Sequence, residues 1–483
     1  MTSEVVIPRQ HFLLLPFPAY GHMIPLAELG KKIARHHDVT FAVSQCLFGQ
    51  LQKRELVSPK DFTLVCIPDG LAEQLDGANV LYPANFVTTL QTVIAGIQSL
   101  LQAVPTRGSV GNPANGLGIT IPVDFVIGDN MMAAGLSVCR DREIPLHFFN
   151  TCAASLTFAV LAMTEDYPVL GPNEEPNQFM ELPSSPGASP PPIPEISKKV
   201  LLDMRRATLQ VNGIIFNSAL EVERDTVALI EALSEMKGIS LRCVGPLMSP
   251  AEKLSTAKLE HKDKVQAWLD RQSETSVVYV SFGSIAYPSP EQIAELAKAL
   301  LRVGKPFIWS IRPEQQQHLP EGIKSKMGNQ FEGEGGSFLI LGWAPQKLIL
   351  QHASTAVFLS HCGWNSTMES VSAGVPVVAW PMFADQKLNA EWLAKQSTAV
   401  MVEGTGLKPK RLVLADEIEG IISDVGWNGG ARDSACRIAA QSWSSKLGKA
   451  TGSGGSSDIA FRELIGLPLP HNGISTVTGN NNN

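Results

Sequence analysis

Short apolar strands and helical segments alternate along the first half of the chain. The predicted strands cover residues 11–16, 39–44, 62–67, 123–127 and 144–149, and the predicted helices between them cover 24–36, 86–104 and 131–140. Strands that alternate with helices of this length are typical of βαβ units, in which the helices connect parallel strands. The first half is therefore predicted to form a parallel sheet covered by helices.

The same alternation begins again in the second half. Further strands are predicted over 276–282, 307–311, 338–341, 356–360 and 375–380, with a helix over 290–302 after the first of them. Two such series in 483 residues indicate two doubly wound, Rossmann-like domains of an α/β protein that face each other across a cleft. The polar stretch 249–264 is the predicted junction.

Composition excludes several classes of protein. Apolar residues make up 44% and charged residues 18%, a globular balance, and the net charge of −7 disfavours binding to nucleic acid or anionic membranes. Seven dispersed cysteines without a Cys-x-x-Cys pair indicate reduced thiols in a cytoplasmic protein. The apolar run 12–19 is short and contains two prolines, so we interpret it as a buried strand. We expect no transmembrane segment, because no run approaches the ~18 apolar residues needed.

The most informative segment covers residues 343–386 and reads WAPQKLILQHASTAVFLSHCGWNSTMESVSAGVPVVAWPMFADQ. It contains a predicted strand, a turn and a helix that starts after Gly363, where the missing side chain would let a ligand approach the backbone. Asn365 and Ser366 suit the first turn of this helix, whose free amides and dipole favour a phosphate. His361 in the turn could donate a hydrogen bond to a phosphate oxygen.

Three further polar residues of this segment suit a nucleotide sugar. Glu369 lies one turn along the predicted helix and could accept hydrogen bonds from ribose hydroxyls. Asp385 and Gln386 follow the next strand and could hold sugar hydroxyls, although they could also serve only to cap the helix that begins near Lys387.

The ends of other strands supply further candidates. His22 lies in the run PAYGHMIP (residues 18–25) after the first strand, at the strand end where open α/β sheets bind ligands. Asp129 follows the strand 123–127, where a helix cap and an active-site role are both open. Asp124 is a weaker candidate because it lies at the start of that strand. Ser284, in the turn Ser-Phe-Gly-Ser after strand 276–282, could contact phosphate or only form the turn.

These motifs together resemble one family. Residues 343–386 are similar over their full length to the 44-residue signature of plant secondary-product UDP-glycosyltransferases of family 1, and P-x-x-G-H-x-x-P is the family's N-terminal motif. The resemblance is dense at these motifs, diffuse elsewhere, and extends over nearly the whole chain except the tail. One departure is Ala356–Val357, where the family usually has at least one glycine.

The resemblance implies a GT-B fold and a division of the chain. Residues 1–248 would bind the acceptor, residues 249–455 would bind the UDP-sugar, and a helix over 456–470 would pack back on the N-terminal domain. We expect the tail 471–483 to be disordered and the protein to be a monomer.

The resemblance also assigns roles to single residues. It implies that His22 is the catalytic base, that Asp129 orients it, and that the UDP-sugar is bound by a set of C-terminal residues. In that set Trp343 would stack on uracil, Gln346 would help hold the nucleoside and Glu369 would bind the ribose. The diphosphate contacts would be His361, Asn365 and Ser366, with Ser284 as a further phosphate contact, and the sugar contacts Trp364, Asp385 and Gln386. Ala344 and Gly363 are also in the set.

The predicted reaction is an inverting transfer of glucose from UDP-glucose, a co-substrate, to a hydroxyl of a small apolar acceptor such as a phenolic, flavonoid or terpenoid. We expect no cofactor and no metal, because the chain has no Asp-x-Asp. There are two alternative functions. A nicotinamide-dependent oxidoreductase is disfavoured because no G-x-G-x-x-G follows the first strand. A non-catalytic nucleotide-sugar binding module is disfavoured because both His22 and Asp129 are present.

Overall fold

A computed structural model describes most of the chain. The described residues are 8–53, 57, 59–68, 83–106, 119–171, 174, 177, 192–248, 260–285, 287–331, 336–427 and 434–469. The predicted disordered tail 471–483 lies outside them, as does the start of the predicted domain junction at residue 249.

The N-terminal domain contains one parallel sheet. Its strands are β1 (His11–Leu15), β2 (Asp38–Ser44), β3 (Thr63–Ile67), β4 (Phe125–Asp129), β5 (Leu146–Asn150), β6 (Gly213–Phe216) and β7 (Ser240–Cys243), in the order β3-β2-β1-β4-β5-β6-β7. Its helices are α1 (Tyr20–Ile33), α2 (Gln45–Lys53), α3 (Pro83–Ala103), α4 (Ala133–Leu136), α5 (Val138–Asp141), α6 (Ala154–Leu161), α7 (Glu195–Thr208) and α8 (Leu220–Glu231), with 3₁₀ turns at Asn130–Met132 and Ser234–Met236.

The C-terminal domain repeats the plan. Its strands are β8 (Val277–Ser281), β9 (Phe307–Ser310), β10 (Phe338–Leu341), β11 (Thr355–Ser360), β12 (Val377–Ala379) and β13 (Ala399–Met401), in the order β10-β9-β8-β11-β12-β13. Its helices are α9 (Glu260–Asp270), α10 (Pro290–Val303), α11 (Pro313–Gln316), α12 (Glu321–Lys324), α13 (Gln346–Gln351), α14 (Trp364–Ala373), α15 (Gln386–Lys395), α16 (Ala415–Trp427), α17 (Ala435–Thr451) and α18 (Ser456–Leu464), with a 3₁₀ turn at Met327–Asn329.

Each sheet is buried on both faces, which is why its strands are almost continuously apolar. In β1, Leu13 and Leu15 pack into one core while Phe12 and Leu14 pack into another on the opposite face. The two doubly wound domains predicted from the sequence, and the GT-B class, are confirmed. None of the helices in the described ranges combines the length and apolar character needed to cross a membrane.

The helix expected over 456–470 is α18, and it packs on the N-terminal domain. Phe461 and Ile465 lie in the same apolar cluster as Phe12 of β1. The hydroxyl of Ser457 donates to the Gly245 carbonyl at 2.6 Å. The chain therefore returns from the C-terminal domain and joins the two domains a second time.

In both sheets the strand order reverses next to the first strand. The reversal falls between β1 and β4 in the N-terminal sheet and between β8 and β11 in the C-terminal sheet. Ligands of doubly wound folds bind at the carboxyl ends of the strands beside such a reversal. This rule places two candidate half-sites, one in each domain.

Candidate active site

The half-site of the N-terminal domain contains a histidine–aspartate pair. His22 is the third residue of α1, just after β1, and Asp129 is the last residue of the neighbouring strand β4. His22 Nδ1 lies 2.7 Å from Asp129 Oδ2, and the other carboxylate oxygen accepts the Met131 backbone N–H at 2.9 Å. The predicted contact with His22 is present, and Asp129 also caps the following 3₁₀ turn.

In the neutral imidazole, the pair favours the tautomer that carries its proton on Nδ1. A carboxylate with no solvent exposure accepts the hydrogen bond from this N–H, which leaves Nε2 as the nitrogen that can act as a base. Burial by itself lowers the pKa of His22, but the charge and hydrogen bond of Asp129 and the charge of Asp385 oppose it, and the net pKa is raised. The ring is 22% exposed, so it remains accessible to a substrate.

Thr151 and Cys152, after β5, complete this half-site and were missed from the sequence. Thr151 Oγ1 lies 3.1 Å from His22 Nδ1, and the Cys152 thiol donates a hydrogen bond to Asp385 of the other domain. The strand-end rule that selected Asp129 could have found both residues, because β5 is the neighbour of β4.

The half-site of the C-terminal domain is the turn between β11 and α14. The first turn of α14 follows Gly363, which provides no side-chain cap. The amides of residues 364–366 have no partner within the helix, since the first turn of any helix lacks acceptors for them. They are available to an anion, as the sequence predicted.

His361 lies between two glycines beside these amides. A Cβ atom would come within 2.5 Å of its Nε2 at Gly283 and within 2.7 Å at Gly363, so neither position accepts a side chain without a shift. Among the described residues its buried Nδ1 has no hydrogen-bond partner of acceptable geometry, and burial lowers the pKa of the ring to about 4 despite an opposing backbone contact with Ser281. His361 is therefore neutral, and a ligand oxygen could satisfy its unpaired nitrogen. Ser284 follows Gly283 in the adjacent turn and is half-buried.

Gln346 links Glu369, predicted to hold the ribose, to Ser366, predicted to hold the diphosphate. Its Nε2 donates to Glu369 Oε2 at 2.7 Å and to Ser366 Oγ at 3.0 Å, while its Oε1 accepts from the Tyr279 hydroxyl at 3.1 Å. Burial raises the pKa of Glu369. The three predicted residues thus lie together with fixed side chains.

Trp343 and Ala344 lie at the entrance to this region. The Trp343 indole is 39% exposed, and its ring centre is 5.3 Å from that of Tyr20 in the N-terminal domain. Ala344 is buried, and its carbonyl accepts the Gln346 backbone N–H at 2.8 Å. A partly exposed indole is the kind of flat aromatic group on which a base can stack.

The side chains of Trp364 and Asn365 have partners other than those predicted. The Trp364 indole is buried, and its Nε1 donates to the Asn217 carbonyl at 2.9 Å. Asn365 Nδ2 donates to the Gly21 carbonyl at 2.6 Å, and its Oδ1 accepts from Asn217 Nδ2 at 3.2 Å. Both side chains therefore join the two domains, which leaves the backbone amides as the groups of these residues available to a ligand.

Asp385 faces the histidine pair, and Gln386 supports its loop. Gln386 is buried, and its Oε1 accepts the backbone N–H groups of Met382 and Phe383 at 2.9 and 3.2 Å. Its Nε2 is the group left for a sugar hydroxyl. Asp385 Oδ2 accepts from Asn389 Nδ2 at 3.0 Å, and burial raises the pKa of the carboxyl. Its side chain makes no cap hydrogen bond to α15, which disfavours the simple capping role.

No group of three or more His, Cys, Asp or Glu side chains within the described residues is arranged to hold a metal ion. Backbone dipoles and neutral donors at the start of α14 are groups that could stabilise the charge of a diphosphate.

Comparison with known proteins agrees with this geometry. Residues 246–425 match the model of the UDP-glucoronosyl and UDP-glucosyl transferase family. The chain is 27% identical to UDP-glycosyltransferase 85A3 of Arabidopsis thaliana over 95% of its own length and 96% of the relative. The crystal structure of Medicago truncatula UGT71G1 complexed with UDP-glucose superposes with a TM-score of 0.74 at 24% identity, covering 95% of this chain and 98% of that one. Arabidopsis thaliana UGT89C1 complexed with UDP-L-rhamnose superposes with a TM-score of 0.71 at 25% identity, covering 95% and 98%.

The matches extend over both domains and include both half-sites. The strand-end histidine–aspartate pair, the uncapped helix α14 and the similarity over nearly the full length of its relatives together support a plant UDP-glycosyltransferase of family 1.

Proposed function

We propose that this glycosyltransferase moves glucose from UDP-glucose to a hydroxyl group of a small apolar acceptor and inverts the anomeric configuration. The observation that carries the proposal is the pairing of His22 with Asp129 beside Asp385, at the place where the two half-sites meet. A base in one domain and a phosphate-binding helix terminus in the other are the two parts that a direct displacement requires.

The proposed reaction is a single displacement. His22 Nε2 takes the proton of the acceptor hydroxyl, while Asp129 holds the Nδ1 proton and stabilises the imidazolium that forms. The acceptor oxygen bonds to the anomeric carbon on the face opposite the diphosphate, and the bond from that carbon to the phosphate oxygen breaks. UDP leaves with the bonding electrons, stabilised by the α14 amides, and His22 returns its proton to solvent. An α-linked donor gives a β-glucoside.

The acceptor is tested by incubating the protein and UDP-glucose with phenols, flavonoids, terpenoid alcohols and carboxylic acids, with mass detection of products. We expect a mass increase of one hexose on at least one hydroxyl acceptor, and a β-linked product by NMR. An α-linked product would contradict the single displacement, and the absence of transfer to every acceptor would contradict the proposed activity.

The sugar is distinguished from other hexoses by the orientation of its hydroxyl groups, and we assign their recognition to Asp385. One of the two structural relatives is complexed with UDP-glucose and the other with UDP-L-rhamnose. A buried carboxylate forms strong, directional hydrogen bonds with hydroxyl groups, and Gln386 can add one N–H donor. Moving one equatorial hydroxyl to the axial position would leave such a group unpaired.

We therefore expect UDP-glucose to be preferred over UDP-galactose by roughly tenfold to a hundredfold, since an unpaired buried polar group costs about 1–3 kcal/mol. The measurement is competition of the two donors in one reaction, read as the ratio of products. Asp385→Ala should reduce both the rate and this ratio. Glu391→Ala is the matched control, because Glu391 lies on the same helix α15 and pairs with Lys387 near the surface. Equal rates for the two donors, or an unchanged Asp385→Ala variant, would show that the assigned sugar contacts are wrong.

We also propose that no metal ion takes part. The support is the chain's lack of Asp-x-Asp, together with an α14 terminus that offers unpaired amides and a neutral His361. Incubation with EDTA is expected to leave the transfer rate largely unchanged. A loss of activity that magnesium or manganese restores would overturn this part of the proposal. The monomeric state and the cytoplasmic location stay predictions from the sequence.

A further inference from the structure

The side chain of Asn365 connects the first turn of the donor-binding helix α14 to the catalytic loop of the other domain. Its Nδ2 donates to the carbonyl of Gly21 at 2.6 Å, and Gly21 directly precedes His22. The amide of Asn365 itself belongs to the free first turn of α14. One residue therefore contacts both the phosphate-binding helix terminus and the segment that carries the base.

Pro25 explains why the Gly21 carbonyl can accept this bond. Both residues lie in α1, where the backbone N–H of residue 25 would normally donate to the carbonyl of residue 21. Proline has no N–H, so this intrahelical bond is missing. The donor comes instead from Asn365, across the cleft. Gly21 and Pro25 are the G and the second P of the run PAYGHMIP, so the spacing of that run produces the acceptor.

Asn217 binds the carbonyl oxygen of the Asn365 side chain, whose nitrogen donates to Gly21. Asn217 follows β6 and is 3% exposed. Its Nδ2 donates to Asn365 Oδ1 at 3.2 Å, and its carbonyl accepts the Trp364 indole N–H at 2.9 Å. Because Asn365 Oδ1 is occupied in this way, its amide is oriented with Nδ2 towards Gly21.

Asn217 is in turn held by other residues of the N-terminal domain, to which it belongs. Its Oδ1 accepts the Leu247 backbone N–H at 2.8 Å, and its own backbone N–H donates to the Asn150 carbonyl at 3.0 Å. Asn150 precedes Thr151, whose hydroxyl contacts His22. Hydrogen bonds and peptide links thus connect six residues in a closed ring, namely His22, Gly21, Asn365, Asn217, Asn150 and Thr151.

We propose that Pro25 and Asn217 are positioning residues which, through Asn365, set the placement of the donor-binding helix relative to His22. This inference rests on the proposed transferase activity and deepens it. Neither residue needs to contact a substrate. A shift of about 1 Å between reacting groups can lower a rate by about a hundredfold, so such a link can matter as much as a direct contact.

The first test is Pro25→Ala, which returns an N–H to residue 25 and lets the helix compete with Asn365 for the Gly21 carbonyl. Proline in a helix interior is unfavourable relative to alanine, so the variant should have an equal or higher melting temperature. We nevertheless expect kcat to fall by about tenfold or more. Loss of activity without loss of stability is a result that a merely structural role for Pro25 does not produce.

The matched control is Pro290→Ala, at the first turn of α10, where the N–H that proline lacks would have no helical partner. This variant should keep the wild-type kcat. A Pro25→Ala variant that is as active as Pro290→Ala would overturn the role assigned to Pro25.

The second test is Asn217→Asp, which keeps the acceptor for Leu247 but places a carboxylate oxygen against Asn365 Oδ1. We expect kcat to fall by about tenfold to a hundredfold while the Kd for UDP, measured by calorimetry, changes by less than about threefold. UDP binding should persist because Trp343, Gln346 and Glu369 all belong to the C-terminal domain. Asn212→Ala is the control, since Asn212 accepts the Leu146 N–H at the other end of β6, away from the cleft.

A double variant separates positioning from general damage. If Asn217 acts through Asn365, adding Asn217→Asp to Asn365→Ala should lower kcat no further than Asn365→Ala alone. Full additivity of the two losses, or a wild-type kcat in Asn217→Asp, would overturn the inference. The proposed activity fails separately, since that failure would appear as an inactive wild-type protein that still binds UDP.

Discussion

Replacing His22 by alanine is expected to lower kcat for an ordinary alcohol by about 10² to 10⁴, the usual contribution of a general base. UDP should still bind, because the residues assigned to the nucleotide lie in the other domain. The loss should be smaller for an acidic phenol, which is already partly ionised at neutral pH and needs less help with its proton. The measurement is kcat for both kinds of acceptor, with the Kd for UDP from calorimetry.

The chain contains a matched control for this variant. His352 pairs with Asp270 in the C-terminal domain through an Nε2···Oδ1 distance of 3.0 Å, away from both half-sites. His352→Ala removes a histidine–aspartate pair of similar geometry and should leave kcat unchanged. If His22→Ala retained near-wild-type turnover of an unactivated alcohol, His22 could not be the base.

The general plan of the fold could be predicted because it depends on local patterns. Apolar strands separated by helices specify parallel sheets, and a second series of them specifies a second domain. Register is harder to predict. The strand expected at 123–127 runs over Phe125–Asp129, because pairing with β1 places Phe125 opposite Phe12. Periodicity does not fix such pairings, which depend on the neighbouring strand.

The start of α1 shows a second limit of local patterns. The helix was expected at 24–36 but begins at Tyr20, so that Pro25 lies inside it. A proline inside a helix ordinarily argues against such an assignment. Here the carbonyl left without a helical donor is satisfied by Asn365, about 340 residues further along the chain. A sequence window around residue 25 contains no sign of that partner.

The site residues also divide into those whose contacts could be expected from the sequence and those whose contacts depend on distant parts of the chain. The histidine–aspartate contact and the grouping of Gln346, Ser366 and Glu369 were expected from the family resemblance, and both are present. The partners of Trp364 and Asn365 depend on how two domains meet. Their contact with Asn217 could not be predicted, because the short strand β6 that precedes Asn217 was not recognised in the sequence.

Replacing Asp129 by asparagine should also lower kcat by about 10² to 10⁴. The side-chain amide can donate to Nδ1 of His22, which moves the imidazole proton to Nε2 and removes the base; a comparable change in a Ser-His-Asp triad costs about 10⁴. Asp124→Asn is the matched control, because Asp124 accepts the His11 backbone N–H at the amino ends of the strands, the end of the sheet opposite to His22. It should keep the wild-type kcat.

The pH dependence distinguishes loss of the aspartate charge from simple disruption. His22 acts as a base only when neutral, so activity rises as pH increases through its pKa. Burial lowers that pKa, while Asp129 and, more weakly, Asp385 raise it to a net value above the ordinary 6.5. Asp129→Asn removes the larger raising influence and retains the burial, so the acid limb of kcat/KM should move to lower pH while the plateau falls. An acid limb that stays in place, with a plateau near that of the wild type, would mean that Asp129 neither orients nor charges His22 and serves only to cap the turn at Asn130–Met132.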